Sequence, residues 1–194
     1  MSAPKVLAFA GATRTQSWNK KLIRLGARAA EDAGAQVTLV DLRDYPMPLY
    51  DGDIEAAEGL PAKARELKAL MVANDGFLLS CPEYNGSISA VLKNTIDWIS
   101  RPQPNEASGY AFKGKVAGLL AASPGNLGGV RALLTVRQVL TTLGVIVLPT
   151  QFALARAAAA FNEDGTLKDE AHRTAVGAVV ADLVKILGLL RPRS

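Results

Sequence analysis

The amino-acid sequence predicts a three-layer α/β fold, in which a parallel sheet of five strands is covered by helices on both faces. Two observations support this prediction. Five short apolar segments are typical of strands, and they alternate strictly with segments of helical periodicity. The first strand segment, at residues 5–10, is almost continuously apolar, as expected for a parallel strand that is buried on both faces. Right-handed crossover connections then place the helices on both faces of the sheet.

The individual elements are predicted from hydrophobic periodicity and from the turn residues between the segments. Strands are expected at residues 5–10, 36–41, 75–80, 115–121 and 145–148. Helices are expected at residues 17–33, 62–73, 87–98, 128–143 and 169–190. The Pro-rich stretch from Tyr45 to Tyr50 is predicted to be a long surface loop, because proline disfavours regular structure.

Length and composition favour one globular unit, and we expect a single domain over residues 1–194. A hydrophobic content of 49% and a charged content of 21% are typical of a soluble α/β protein. The net charge is +4, but the 22 basic residues are interleaved with 18 acidic ones, so nucleic-acid binding is not expected. The densest basic group is interpreted as a solvated helix face and consists of Lys20, Lys21, Arg24 and Arg28.

The chain is expected to be cytoplasmic and not to bind a membrane. Its first residues lack the basic and long apolar regions of a signal peptide, and no apolar stretch is long enough to span a bilayer. The single cysteine, Cys81, excludes an internal disulfide and is interpreted as a packed thiol. The single histidine, His172, is interpreted as a surface residue far from every candidate loop. Because one histidine cannot build a metal site alone, no metal is expected.

The candidate site consists of the loops after the first, third and fourth predicted strands, because ligands bind at the carboxyl ends of parallel strands. The first loop carries Thr13, Arg14 and Ser17 directly before a helix. Free backbone N–H groups, hydroxyls and a guanidinium suit a phosphate group. Ser17 also fits the position that caps the helix, and the two roles are compatible. Neither G-x-G-x-x-G nor G-x-x-x-x-G-K-[ST] is present, so Asp41 is interpreted as a loop cap.

The other two loops combine turn residues with groups that suit a planar ligand. The second loop contains Pro82, Glu83, Tyr84, Asn85 and Gly86. Tyr84 and the backbone N–H groups beside it offer flat apolar cover and hydrogen-bond donors. The third loop, at residues 122–129, is rich in glycine, which lets the backbone approach a planar ligand closely. A flexible connection is an equally good interpretation of the third loop alone.

Together these segments resemble the NADPH-dependent FMN reductase family, which includes the bacterial chromate and quinone reductases. The most specific part is residues 81–102, CPEYNGSISAVLKNTIDWISRP, which is similar to the family's P-E-Y-N and L-K-N-x-[IL]-D-W signature. The resemblance covers nearly the whole chain and implies a flavodoxin-like fold with strand order 2-1-3-4-5. One departure is Ala12, which occupies a position usually held by serine, although Thr13 beside it offers a hydroxyl.

The resemblance implies FMN as the cofactor and NADPH or NADH as the electron donor. The first loop then matches the family's phosphate-binding loop, the second lines the isoalloxazine ring, and the third is the flavin-proximal glycine loop. The predicted cofactor-binding residues are Thr13, Arg14, Ser17, Asn19, Pro82, Glu83, Tyr84, Asn85, Gly86, Ser123, Gly125, Gly128 and Gly129. The loop at residues 101–114 is expected to border this site.

By the same resemblance, electrons pass from NAD(P)H through FMN to small acceptors such as free flavin, quinones, azo compounds or chromate. We expect ping-pong kinetics and no catalytic side chain, because FMN carries the hydride-transfer chemistry. Structural roles are expected for Asp97 and Trp98, which lie in the signature. The resemblance also implies a homodimer or homotetramer, with the loop at residues 45–53 as a plausible contact.

Two other classes of function are considered. A flavodoxin-like electron carrier would bind FMN without oxidising NAD(P)H itself, but such carriers are usually strongly acidic and this chain is basic. A hydrolase on the same type of fold would need a G-x-S-x-G nucleophile motif, and the sequence contains none. The reductase is therefore the predicted function, and the carrier is the alternative.

Overall fold

A computed structural model describes residues 3–190 and has the predicted three-layer arrangement. Five parallel strands form the sheet in the order β2-β1-β3-β6-β7. Their bounds are β1 Lys5–Ala10, β2 Gln36–Asp41, β3 Gly76–Ser80, β6 Val116–Ala122 and β7 Ile146–Leu154. Two short strands, β4 Glu83–Tyr84 and β5 Ser87–Ile88, form a separate antiparallel hairpin. With the hairpin set aside, the order of the sheet confirms the prediction 2-1-3-4-5.

Within residues 3–190 the structure has seven α-helices. They are α1 Trp18–Asp32, α2 Gly52–Glu58, α3 Ala62–Ala73, α4 Ala90–Ser100, α5 Val130–Thr142, α6 Ala157–Ala160 and α7 Glu170–Leu190. The five longest match the five predicted helices, whereas α2 and α6 were not predicted. Helix α4 begins three residues later than predicted, because Ser89 caps it by accepting a hydrogen bond from the N–H of Leu92 at 3.2 Å.

The sheet separates two apolar cores, as the alternation of side chains along a strand requires. In β1, Val6 and Ala8 face helices α1 and α7, while Leu7 and Phe9 face α3, α4 and α5. All four of these side chains are buried. The continuous apolar runs in the sequence therefore mark strands with both faces covered.

Strand β7 extends six residues beyond its predicted end at Leu148. It runs through Pro149, and the pairing with β6 changes register at this point. The strand lies at the edge of the sheet, where a residue without an N–H group is tolerated. The sequence prediction stopped too early because the apolar run ends at the proline.

The loop at residues 101–114 does not border the candidate site, so that expectation is wrong. It lies at the amino ends of the strands, opposite the carboxyl ends where the candidate site is expected. There the N–H of Gly114 donates to the carbonyl of Gly144 at 2.9 Å. These two glycines lie two residues before β6 and β7, so they mark the amino ends of the strands. The loop buries Phe112 against Phe77, with ring centroids 6.1 Å apart.

The predicted Pro-rich loop is irregular as expected, and helix α4 holds it in place. The indole N–H of Trp98 and the side-chain amide of Asn94 both donate to the carbonyl of Pro48 at 2.8 Å. Trp98 is fully buried, which confirms its structural role. Asp97 forms an ion pair with Lys93 one turn earlier, at 2.8 Å.

The basic group on α1 is not a uniformly solvated face. Arg24 and Arg28 are exposed, but Lys20 is 5% exposed and its ammonium lies 2.6 Å from the carboxylate of Asp41. That interpretation is therefore wrong for Lys20. None of the helices between residues 3 and 190 is long and apolar enough to cross a membrane.

Candidate flavin site

The loops after β1, β3 and β6 come together at the carboxyl edge of the sheet, around a cleft of about 340 Å³. This volume lies within the range of about 300–1,000 Å³ that is usual for ligand pockets. Seven of the predicted residues line the cleft, namely Arg14, Ser17, Asn19, Pro82, Glu83, Tyr84 and Ser123. Three further lining residues were not predicted, namely Trp18, Ala122 and Pro124. They adjoin predicted residues in the chain, and this adjacency was the only sequence signal for them.

The loop after β1 presents a set of donors to the cleft. The first N–H groups of helix α1 have no acceptor within the helix, as at every helix N-terminus. Ser17 occupies the position before α1, but its hydroxyl makes no capping hydrogen bond. The Arg14 guanidinium lies over the ring of Trp18, 5.1 Å from its centroid, in a cation–π contact that orients the charge. The loop therefore offers N–H groups, a hydroxyl and a fixed guanidinium.

Asn19 connects the three loops from inside the protein. Its amide oxygen accepts hydrogen bonds from the hydroxyl of Ser80 and the N–H of Ala122, both at 2.9 Å. Its amide nitrogen donates to the carbonyl of Ala122 at 2.8 Å, and the side chain is buried. Since Ser80 ends β3 and Ala122 ends β6, Asn19 ties helix α1 to both strand ends. A direct contact between Asn19 and a phosphate stays a prediction.

The loop after β3 is the hairpin β4–β5, and its conformation explains the residues at its tip. Asn85 and Gly86 have φ angles of 52° and 78° and connect the two strands. Positive φ at both central residues is the feature of a type I′ turn, for which Asn-Gly is the favoured pair. These two residues shape the hairpin and do not line the cleft.

Glu83 lines the cleft, but its carboxylate is engaged elsewhere. It accepts hydrogen bonds from the side-chain Nε of Arg131 at 2.6 Å and from the backbone N–H of Arg131 at 3.1 Å. The Glu83 side chain is 7% exposed. This contact fixes the hairpin to the first turn of α5, and it leaves Tyr84, which is 56% exposed, at the mouth of the cleft.

The glycines of the third loop serve the packing of the protein backbone. Gly128 and Gly129 have φ angles of 64° and 97°, which side-chain-bearing residues rarely adopt. A Cβ at Gly128 would lie 2.7 Å from the carbonyl oxygen of Ala153, and one at Gly129 would lie 2.8 Å from the Cβ of Ala121. Neither glycine lines the cleft, and Gly125 does not line it either. The idea that they admit a ligand stays a prediction.

Thr13 is exposed and contributes its carbonyl oxygen to a polar cluster with Lys20 and Arg43. Asp41 accepts a hydrogen bond from the N–H of Arg43 at 3.0 Å, which confirms that it caps the loop after β2. Partial burial acts to raise the pKa of Asp41, but the hydrogen bonds from Lys20 and Arg43 outweigh it. The pKa is therefore lowered from its usual value of 3.8.

His172 is not an isolated surface residue, so that interpretation is wrong. It is half-buried, its ring lies 5.6 Å from that of Phe152, and its Nδ1 is buried without a partner among residues 3–190. It lines a second cavity of about 470 Å³ that extends to Asn126 in the loop after β6. This cavity shares no residue with the cleft that the three loops form.

Cys81 is fully buried behind the cleft, and burial raises the pKa of its thiol to about 12. Since the thiolate is the reactive form, we expect the native protein not to react with a disulfide reagent such as dithionitrobenzoate near pH 8. One thiol per chain should be released when urea unfolds the protein. Fast stoichiometric reaction of the native protein would contradict the packing role.

Comparison with known proteins agrees with this site. The family described as NADPH-dependent FMN reductase matches residues 4–159. An NAD(P)H-dependent FMN reductase of Pseudomonas aeruginosa is 36% identical over 170 residues, which are 87% of each chain. A quinone reductase of Pseudomonas putida is 34% identical over 167 residues, which are 85% of each chain.

A solved structure supports the same assignment. The flavoenzyme NAD(P)H:(acceptor) oxidoreductase FerB of Paracoccus denitrificans superposes with a TM-score of 0.81 at 27% identity, over 96% of this chain and 98% of the other. The sheet order, the position of the cleft and the family match over residues 4–159 agree with one another. The chain belongs to the NADPH-dependent FMN reductase family.

Proposed function

We propose that this chain is an FMN-dependent NAD(P)H oxidoreductase that passes electrons to small acceptors, quinones foremost. The observation that carries this proposal is the cleft itself. One loop supplies donors for a phosphate, and the other two supply flat apolar cover, at the carboxyl edge of a flavodoxin-like sheet. We take residues 1–194 to be a single FMN-binding domain.

The donor set fits the FMN phosphate. Ser17 has a hydroxyl that the helix does not use, and Arg14 carries a charge fixed by its stacking on Trp18. The dipole of the 15-residue helix α1 adds favourable potential for an anion at its N-terminus. We therefore assign Arg14 and Ser17 to direct phosphate contacts. We assign Asn19 to positioning, since its amide is hydrogen-bonded inside the protein.

The ring of FMN fits against the loops after β3 and β6. Pro82, Tyr84 and Pro124 line this part of the cleft and offer flat apolar surface. The Glu83–Arg131 contact keeps the hairpin in place, so the ring meets a preformed wall. When bound, FMN supplies the hydride-accepting and electron-donating chemistry, and the protein orients it and shields one face.

The acceptor is proposed from the openness of the cleft and from the relatives. Tyr84 is 56% exposed at its mouth, so a second planar molecule can reach the site. The relatives include proteins named FMN reductase and quinone reductase. We propose quinones and free flavin as the main acceptors and azo compounds and chromate as further ones. One binding site shared by NAD(P)H and the acceptor gives ping-pong kinetics.

We further propose that the chain acts in the cytoplasm as a homodimer or homotetramer. The loop at residues 45–53 exposes apolar side chains on an ordered backbone, since Leu49 is 77% exposed and Tyr50 is 36% exposed. Such side chains are unfavourable in water and suit a contact with a second copy of the chain.

The proposed activity is tested by the visible spectrum of the purified protein with FMN, followed by anaerobic addition of NADPH. We expect saturable binding of FMN and bleaching of the oxidised flavin band. Addition of a quinone should then restore the band. Binding without bleaching would favour the electron carrier, and no binding would overturn the proposal.

A matched pair of flavins tests the phosphate assignment in the same protein. Arg14→Gln and Ser17→Ala are each expected to weaken FMN binding about tenfold or more, because each removes a contact to a charged group. Riboflavin lacks the phosphate, so its affinity should change less than twofold. An equal loss of affinity for FMN and for riboflavin would contradict the assignment of Arg14 and Ser17 to the phosphate.

A further inference from the structure

The carbonyl oxygen of Thr13, in the loop after β1, is held by two cationic side chains. Lys20 donates from Nζ at 3.1 Å, and Arg43 donates from Nε at 3.0 Å and from Nη2 at 2.6 Å. Lys20 comes from α1 and Arg43 from the turn after β2, so two separate elements converge on one oxygen. Three N–H groups point at an atom that has only two lone pairs.

Asp41 anchors both residues in this arrangement, Lys20 through its ammonium and Arg43 through its backbone. Its Oδ2 lies 2.6 Å from Nζ of Lys20, and its Oδ1 accepts the backbone N–H of Arg43 at 3.0 Å. The Lys20 side chain is 7% exposed, and a charge so far from water is stable only with such a partner. We call Lys20, Asp41 and Arg43 the Thr13 clamp. It carries one net positive charge beside the loop that lines the cleft.

The clamp fixes the direction of the peptide group between Thr13 and Arg14. The peptide is trans, and in a planar trans peptide the C=O and N–H bonds point in opposite directions. Since the carbonyl of Thr13 points at the clamp, the N–H of Arg14 points away from it. Within residues 3–190 this N–H has no acceptor, and Arg14 lines the cleft.

We propose that the Thr13 clamp is a set of positioning residues that presents the backbone N–H of Arg14 to the FMN phosphate. The clamp holds the donor in its binding direction before FMN arrives, so that the loop need not be ordered on binding. Its net charge adds attraction for the phosphate dianion. This inference rests on the proposed function, because it requires the phosphate to bind in the loop after β1.

Arg43→Gln tests the clamp, because Arg43 is exposed and its loss should not unfold the protein. The measurement is the dissociation constant for FMN and for riboflavin with the apoprotein. We expect FMN affinity to fall about tenfold and riboflavin affinity to change less than twofold, because only FMN carries the phosphate. Asp41→Asn should also weaken FMN binding selectively although it adds positive charge, because it releases Lys20 and the turn that carries Arg43. Arg43→Lys should recover part of the FMN affinity.

Glu66→Gln is the matched control, since it removes an exposed ion pair with Lys63 on helix α3. It should leave both flavin affinities unchanged. If Arg43→Gln and Asp41→Asn keep the preference for FMN over riboflavin, the clamp has no positioning role. Equal losses for both flavins would also overturn it, since they would indicate general destabilisation. A wild-type protein without any preference for FMN would overturn the phosphate site itself, and with it the proposed function.

Discussion

Replacing Gly128 with alanine is expected to lower the free energy of unfolding by about 3 kcal/mol. The positive φ of 64° at this position costs a residue with a Cβ about 1–2 kcal/mol. The added Cβ would also lie 2.7 Å from the carbonyl oxygen of Ala153 and 2.8 Å from the nitrogen of Ala155. These are backbone atoms that cannot rotate away, and crowding in a packed region costs about 1–3 kcal/mol more.

Gly125→Ala is the matched control, because it lies in the same loop with an ordinary φ. The nearest atom to a Cβ at Gly125 is the hydroxyl of Ser123 at 3.6 Å, so stability should change by less than about 0.5 kcal/mol. Urea unfolding of both apoproteins measures the difference. If Gly125 admits the flavin, as predicted, its alanine variant should bind FMN more weakly at unchanged stability. Equal stability of the two variants would contradict the packing role of Gly128.

The sheet was predictable because its three central strands, β1, β3 and β6, are short apolar runs with both faces buried. The hairpin β4–β5 was missed because its strands have two residues each, which is too short for any periodicity. Its signal was Asn85-Gly86, the pair that a type I′ turn favours. The pattern of apolar residues also missed α2 and α6, since helices of seven and four residues contain less than two turns of helical periodicity.

The location of the site was predictable from the sequence, but the contacts that individual side chains make were not. The signature at residues 81–102 locates the cleft, because it follows a strand at the carboxyl edge of the sheet. Glu83, however, binds Arg131, which lies 48 residues further along the chain. The Thr13 clamp likewise joins residues from α1, the end of β2 and the turn after β2. Local patterns contain no information about such distant partners.

Replacing Asn19 with alanine is expected to destabilise the protein by about 3 kcal/mol. The change removes three buried hydrogen bonds and leaves the hydroxyl of Ser80 and both backbone groups of Ala122 without their partners. A buried polar group that loses its partner costs about 1–3 kcal/mol. Because Ser80 and Ala122 end the strands that carry two of the three loops, the cleft should also lose its fixed shape.

The control is Asn162→Ala, which removes an exposed asparagine that donates to Thr166 at 2.9 Å. It should change stability by less than about 0.5 kcal/mol. Urea unfolding without FMN measures the free energy of unfolding of each variant. Titration with FMN and with riboflavin then measures the two dissociation constants. If the buried Asn19 side chain only holds the strand ends together, Asn19→Ala should lose stability and should bind both flavins more weakly. If Asn19→Ala instead keeps its stability and loses affinity for FMN alone, the side chain acts on the phosphate directly, as the family resemblance implies.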